Sequence, residues 1–351
     1  MELFMNDAYF QRVHAQSPTR LWINNPTASE TKAAIESGAV ACTTNPTHTA
    51  KMYSHPEEHD IVERDIDTAI ARYPSDADAA ASVQREAVAR LAGPFMDVYK
   101  KSNGKLGWVS IQISPFREDN PAAIVKDAHE NRKISPNIIA KIPATKVGLE
   151  AIGELLAENI PVIATEIMGI SQAIAACELY KKVSAKHKID AAYYVTHISG
   201  IFDDYLKSVA PAGFSTDLLF QAGLAVARKQ YRIMKERDYP GILLGGGARG
   251  LHHFTEMVGG DLHVTINWKG GAGDLIQQDP PVVWRMDNPV PDYVIKGLEE
   301  IPDFRRAYAE DGLKPEEFAD FGPVVLFRTM FTDGWKKLES AVKERRLKIG
   351  K

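Results

Sequence analysis

Cysteine is nearly missing from this chain: Cys42 and Cys177 are the two among 351 residues. Two thiols cannot staple a fold of this length, which excludes a disulfide framework and leads us to expect a reducing, cytoplasmic setting. Cys42 falls in an apolar strand and Cys177 in a helical pattern, so both read as packing residues. Long apolar runs are lacking too. None approaches the roughly 20 residues that span a bilayer, so a membrane partner is not expected. The first 20 residues scatter their charges and hold no apolar run, unlike a signal peptide. An excess of positive charge is also absent. The 42 Lys and Arg against 46 Asp and Glu leave a formal net charge of −4, and no basic cluster is interleaved with aromatics. No nucleic-acid partner is expected on that balance. The basic stretch 343–351 reads as a solvated helix end.

What is present is a repeat of short apolar runs and longer amphipathic ones. Strands are predicted near 21–25, 40–45, 107–114, 138–144, 161–167, 192–198, 242–246 and 262–268. Helical patterns follow at 29–36, 79–98, 121–132, 146–158, 171–182, 216–236 and 251–258. Eight strands that almost all lead into helices predict an α/β fold, a (β/α)8 barrel of parallel units; an open doubly wound sheet is the alternative. The barrel is expected over residues 20–276. Residues 277–351, helical with repeated proline breaks, are expected as a cap packed on it, within a single domain. The longest predicted helix, 325–347, sets Leu326, Met330, Phe331, Trp335, Leu338 and Val342 at helical spacing, a face for packing on the barrel or, less simply, a lid.

In such a barrel the chemistry collects at the carboxyl ends of the strands. Several predicted strands end there in polar residues: Asn24, Thr44, Asn45, Gln112, Thr196 and His197. The most informative strand is Asn137-Ile-Ile-Ala-Lys141-Ile-Pro-Ala144. A lysine in an apolar strand is either an edge residue that reaches water or a buried amine. Burial without a partner favours the neutral amine, the form that attacks a ketone carbonyl to give a Schiff base.

Two motifs carry a resemblance. Thr43-Thr44-Asn45-Pro46 closes the second strand, and Lys141-Ile-Pro-Ala-Thr145 runs on into Gly148-Leu-Glu-Ala-Ile152. Together with Ser171-Gln172-Ala173 after the fifth strand, they resemble the transaldolase family from about residue 21 to 268. The resemblance implies a class I aldolase mechanism in carbohydrate metabolism, such as the pentose phosphate pathway. Lys141 would condense with a ketose, the iminium would draw in electrons as the neighbouring C–C bond breaks, and an aldehyde would accept the keto fragment. It implies no cofactor and a sugar or sugar phosphate as partner. A homo-oligomer is left open.

The chain departs from that family at specific points. Asn24 stands where the resemblance implies an aspartate, and Gln112 where it implies a glutamate. An amide keeps the shape but has no useful proton to exchange. Ile201 replaces one phosphate-binding arginine, Arg249 in Gly245-Gly-Gly-Ala-Arg-Gly250 matches the other, and Ile198 replaces an aromatic residue. We therefore expect a substrate without phosphate or with a different anion. Thr165 matches the threonine that holds a water, Thr196 replaces a serine, and Asn45 is kept. Thr44, Asn45, Asn24, Gln112, Thr196 and Arg249 are expected to bind substrate, with Lys141, Thr165 and His197 catalytic. His197 is the candidate proton carrier, imidazole being suited to exchange near neutral pH. Glu166 should face the helices by strand alternation unless the strand has ended. Asp203, Asp204 and Tyr194 are lesser candidates. The glycine-rich stretch also fits a dinucleotide fingerprint, but it lacks the acid expected about 20 residues on. His252-His253 show no third ligand, so no metal is expected. Restoring both acids, Asn24→Asp with Gln112→Glu, should raise turnover on this reasoning. The other functional reading is a sugar-binding or regulatory relative that no longer turns over.

Overall fold

The computed structural model describes residues 8–350. Eight parallel strands close into a barrel in chain order, the last pairing with the first. They are β1 (Arg20–Asn24), β2 (Ala41–Thr43), β3 (Val109–Gln112), β4 (Ile138–Pro143), β5 (Val162–Ile167), β6 (Tyr193–Ile198), β7 (Ile242–Gly246) and β8 (His263–Ile266). All eight predicted strands are present. β2 stops short of its predicted end: Thr44 N and Asn45 N donate to the Ser110 hydroxyl and the Asn25 side-chain oxygen, not to a neighbouring strand's backbone. The predicted 216–236 helix is two, Thr216–Leu219 and Ala222–Glu236. Helices Tyr9–Gln16, His48–Tyr53, His59–Arg72 and Ser199–Val209 were not anticipated.

Alternation along the strands divides the apolar residues between two layers. One set, including Trp22, Ala41, Trp108, Ile139, Ile163, Tyr194 and Leu244, packs together as the barrel interior. The opposite set, including Leu21, Ile23, Cys42, Ile138, Ala140 and Ala164, joins the helices in the larger core. Trp22 donates to His263 Nδ1 at 2.7 Å and meets the Tyr194 ring edge-on, 4.9 Å between centroids. That plug fixes a floor, and inward residues two further along their strands, such as Asn24, Lys141 and Thr196, form the layer at the open end. Cys42 and Cys177 are both buried and unpaired.

Helix Gly322–Lys348 lies across helices His48–Tyr53, His59–Arg72, Asp76–Lys101 and Ser199–Val209. Its Trp335, Leu338 and Val342 are buried against Val62, Ile66 and Val83. Gly334 permits the close approach, since a Cβ there would stand 2.7 Å from the Thr47 side chain. The basic end is not merely solvated. Arg345 forks onto Asp67 at 2.6 and 2.7 Å, and Arg346 reaches Asp76 at 2.7 Å. The bidentate Arg345–Asp67 pair sets direction as well as energy. Both arginines pin the far end of the helix while its near end, with Phe327 and Phe331, reaches the barrel mouth. No helix among the described residues is long and apolar enough to cross a membrane.

Candidate functional site

Ile139 belongs to the barrel floor, so alternation along β4 lifts Lys141 into the layer above it. There the side chain is 5% exposed. Its Nζ donates to the Thr44 carbonyl at 3.4 Å and stands 5.8 Å from the centre of the Phe331 ring. Among the described residues it makes no ion pair. Burial pushes the ammonium down to about 8, against the opposing pull of Glu166 and Glu118. An amine so placed is partly neutral near physiological pH, which is the state a carbonyl-attacking nucleophile needs.

Lys141 opens into a cavity of about 170 Å³ at the carboxyl ends of the strands. Asn24, Asn45, Thr196 and Arg249 line it with Lys141, so five of the predicted site residues meet there. Asn24 donates to Asn267 Oδ1 at 2.8 Å and accepts from the Thr43 hydroxyl at 2.9 Å. Asn45 Oδ1 is held by Thr47 N and Oγ1 at 3.0 and 2.7 Å. The Thr196 hydroxyl has no protein partner although it is buried. Lys51 and Asn267 also line the cavity; alternation from His263 and Thr265 in β8 was the signal for the second. Arg249 is paired with Asp204 at 2.6 Å, and its charge joins burial in holding the Lys51 ammonium below its usual range. Gly200 makes room for the Arg249 loop, since a Cβ there would meet the Gly247 carbonyl at 2.3 Å.

Four predicted site residues stand elsewhere. Thr44 commits its hydroxyl to the Ser110 carbonyl at 2.6 Å, so its backbone rather than its side chain faces the amine. Thr165 is fully buried with its hydroxyl unpartnered, outside the residues that line the cavity. Gln112 is buried beside Lys141 in the β3–β4 register, also off the cavity wall. His197 also stands outside the residues that line the cavity. Thr196 faces inward, so alternation sends His197 to the helix layer, where its ring nitrogens meet the Ile167 and Gly223 carbonyls at 3.1 and 2.9 Å. Burial lowers its pKa to about 4.

Glu166 is the residue that strand alternation misplaces. The β5–β6 register slips between Ala164 and Ile167, and Glu166 takes φ +60°. That bulge turns the side chain back, so that Glu166 Oε1 accepts from Gln112 Nε2 at 2.9 Å. The same amide nitrogen donates to Glu118 Oε1 at 3.2 Å. Burial raises both carboxyls: Glu166 to about 7, and Glu118 well above its usual range with the Glu166 charge adding to the effect. No sequence pattern marks a bulge of this kind, and Glu118 lies in a loop.

Asp203, His252 and His253 bring their ligand atoms within 4.8 Å of one another, so a third group does accompany the histidine pair. However, His253 accepts from Arg249 N at 3.3 Å through Nδ1 and binds Asp203 Oδ2 at 2.9 Å through Nε2. Asp203 Oδ1 accepts from Gly223 N at 2.7 Å. The cluster therefore holds the Arg249 loop to helix Ser199–Val209. Tyr194 belongs to the barrel floor.

The family described as Transaldolase/Fructose-6-phosphate aldolase matches residues 21–269, from β1 to just past β8. Among individual relatives, the chain is similar to the transaldolases of Mycobacterium ulcerans and Mycobacterium marinum, at 30% identity over 210 residues. It is similar to that of Mycobacterium tuberculosis at 29%. Each match covers 56% of this chain and 55% of the relative, so the chain spans about half the length of the curated relatives it matches.

Proposed function

The chain belongs to the transaldolase/fructose-6-phosphate aldolase family, and from that premise we propose that it forms a Schiff base between Lys141 and a ketose and transfers or cleaves a short keto fragment. The observation that carries the reading is the Lys141 amine: buried, with a lowered pKa, and opening into a polar cavity at the barrel mouth. In this reaction the amine adds to the ketone carbon and the carbinolamine loses water. The resulting iminium accepts the electron pair of the C–C bond that breaks, and an aldehyde leaves. Asn24, Asn45, Asn267 and the unpartnered Thr196 hydroxyl suit a substrate rich in hydroxyls.

Arg249 and Lys51 suit an anionic end. The loss of an arginine at Ile201 argues against a phosphate when the motifs are read alone. Lys51, from a different helix, supplies a second cation to the same wall and supports an anionic substrate such as a sugar phosphate. The rival reading, a binder that no longer turns over, draws its support from Asn24 and Gln112, the two amides.

Incubation with dihydroxyacetone, fructose and fructose 6-phosphate, each with borohydride, tests the reading. A ketose-sized mass gain on the Lys141 peptide is expected. No gain with any of the three overturns the Schiff-base assignment and favours the binder.

A further inference from the structure

Imine formation moves protons, and the cavity that holds Lys141 is lined by no carboxylate and no histidine. The carboxyls whose charge reaches Lys141 are Glu166 and Glu118, and both bond to the Gln112 amide. We propose that Glu166, clamped with Glu118 on the Gln112 amide, is the acid–base group of this site, and that the cleft beside the two carboxyls connects it to solvent. The inference rests on the Lys141 Schiff-base reading.

Four observations carry it. First, Glu166 takes φ +60° inside a slipped strand register, an uncommon backbone for a non-glycine residue, and such outliers collect at functional sites. Second, Gln112 Nε2 directs its two hydrogens at the two carboxyls, 2.9 Å from Glu166 Oε1 and 3.2 Å from Glu118 Oε1. Third, Glu166 Oε2, Gln112 Oε1 and Thr165 Oγ1 are buried with no protein partner, on the strands that flank Lys141. Buried polar atoms without a protein partner are typically met by water, here a water between Glu166 and the reacting oxygen. Fourth, Glu118 and Glu166 line a second cavity of about 560 Å³, whose other walls include the exposed Phe116 and Asp119.

The charges facing Glu166 are Lys141 from β4, Glu118 from the loop after β3 and Arg328 from the C-terminal helix. Asp119, Lys146 and Glu316 line the same cleft, the last two paired at 3.2 Å. Burial disfavours both carboxylate charges, so near neutral pH the pair keeps a proton.

The neutral Lys141 amine attacks the ketone carbon, and the carbonyl oxygen takes up the proton that nitrogen sheds, giving the carbinolamine. Glu166 then passes its proton through the water to the carbinolamine hydroxyl. The C–O bond breaks, water leaves, and the nitrogen lone pair forms the iminium. Glu166 is left as the carboxylate, opposite the new positive charge. The proton returns from solvent through the cleft.

The test is the rate of borohydride trapping on Lys141 of the full chain, with whichever of the three ketoses the wild type traps fastest. Glu166→Gln keeps the acceptor for Gln112 but has no proton to give. It should slow trapping by about 100-fold or more, still reach full modification of Lys141 on long exposure, and lose the alkaline fall of the pH profile. A rate within a few-fold of wild type with an unchanged profile overturns the assignment. Because the wild-type adduct tests Lys141 separately, that result leaves the Schiff-base reading standing. Glu166→Gly relieves the backbone strain and guards against misfolding. Its trapping rate should rise about tenfold in added acetate, a small acid that can enter the cleft. No response to acetate overturns the assignment by itself.

Discussion

Gln112 and Glu166 meet at 2.9 Å, an amide donating to a carboxyl, with both side chains buried. The amide nitrogen has no hydrogen left over, since Glu118 takes the other. Gln112 is thus a clamp on two acids. Placing a third carboxyl there removes the donor and sets three acids together in a buried space. We expect Gln112→Glu to destabilise the protein by about 2 kcal/mol or more, the cost of unsatisfied buried polar groups. A melting curve checks this; an unchanged midpoint would contradict the clamp.

Asn24→Asp is the opposite case. Asn24 meets the Asn267 amide and the Thr43 hydroxyl, and turning the Asn267 amide over lets it donate to a carboxylate. The single variant should fold normally and gain trapping rate, because it sets an acid in the cavity itself. Combined with Gln112→Glu it should lose that gain. The motifs alone argue for the double variant; the geometry separates its halves.

Lys141→Met should abolish trapping and stabilise the fold. The sign follows from linkage. The folded pKa is about 8 against an ordinary value of 10.5, so between those pH values the unfolded chain holds more protons and stability rises with pH. Below about 8 the full penalty of burying the ammonium is present, on the order of 3 kcal/mol by the usual conversion. A methionine of similar length escapes it. Denaturant unfolding at neutral pH and again near pH 10.5 measures the effect, and the gain should shrink at the higher pH.

The barrel was legible because each strand is apolar on both faces and is followed by a helix with its own period. Lys141 was legible for a related reason: a charge in such a strand must be explained. Asn24, Asn45 and Thr196 followed from the rule that strand tips face the open end, and Arg249 from the family resemblance. The misses share a cause. His197 and Glu166 both depend on which way one residue faces. Alternation turns His197 outward, and a slipped register that no residue type announces turns Glu166 inward. Lys51 sits on a helix too short to show a period.

Lys51→Met tests the anion wall. Lys51 forms no ion pair or side-chain hydrogen bond among the described residues, and it stands near Arg249, which is held by Asp204. A charge-assisted hydrogen bond contributes about 1.5–3 kcal/mol, so the variant should weaken trapping of fructose 6-phosphate by about 10–100-fold at low substrate and leave dihydroxyacetone unchanged. Equal losses on both would place Lys51 outside substrate recognition.

Phe331 packs over Lys141, and replacing it should move the acidic limb of the trapping profile. The ring stands 5.8 Å from Nζ and is 1% exposed, on a helix pinned at its far end by Arg345 and Arg346. Desolvation is the largest influence on the amine, so hydration through a smaller residue favours the ammonium and raises its pKa from about 8 toward 10.5. The neutral fraction at pH 7 then falls tenfold for each unit gained. Phe331→Leu should shift the limb modestly to higher pH, and Phe331→Ala should shift it further, the two following the volume removed. Rates measured well above the new pKa should return to that of the wild type at the same pH. If the limb stays fixed while the rate falls at every pH, the ring positions the substrate and does not set the charge state of the amine.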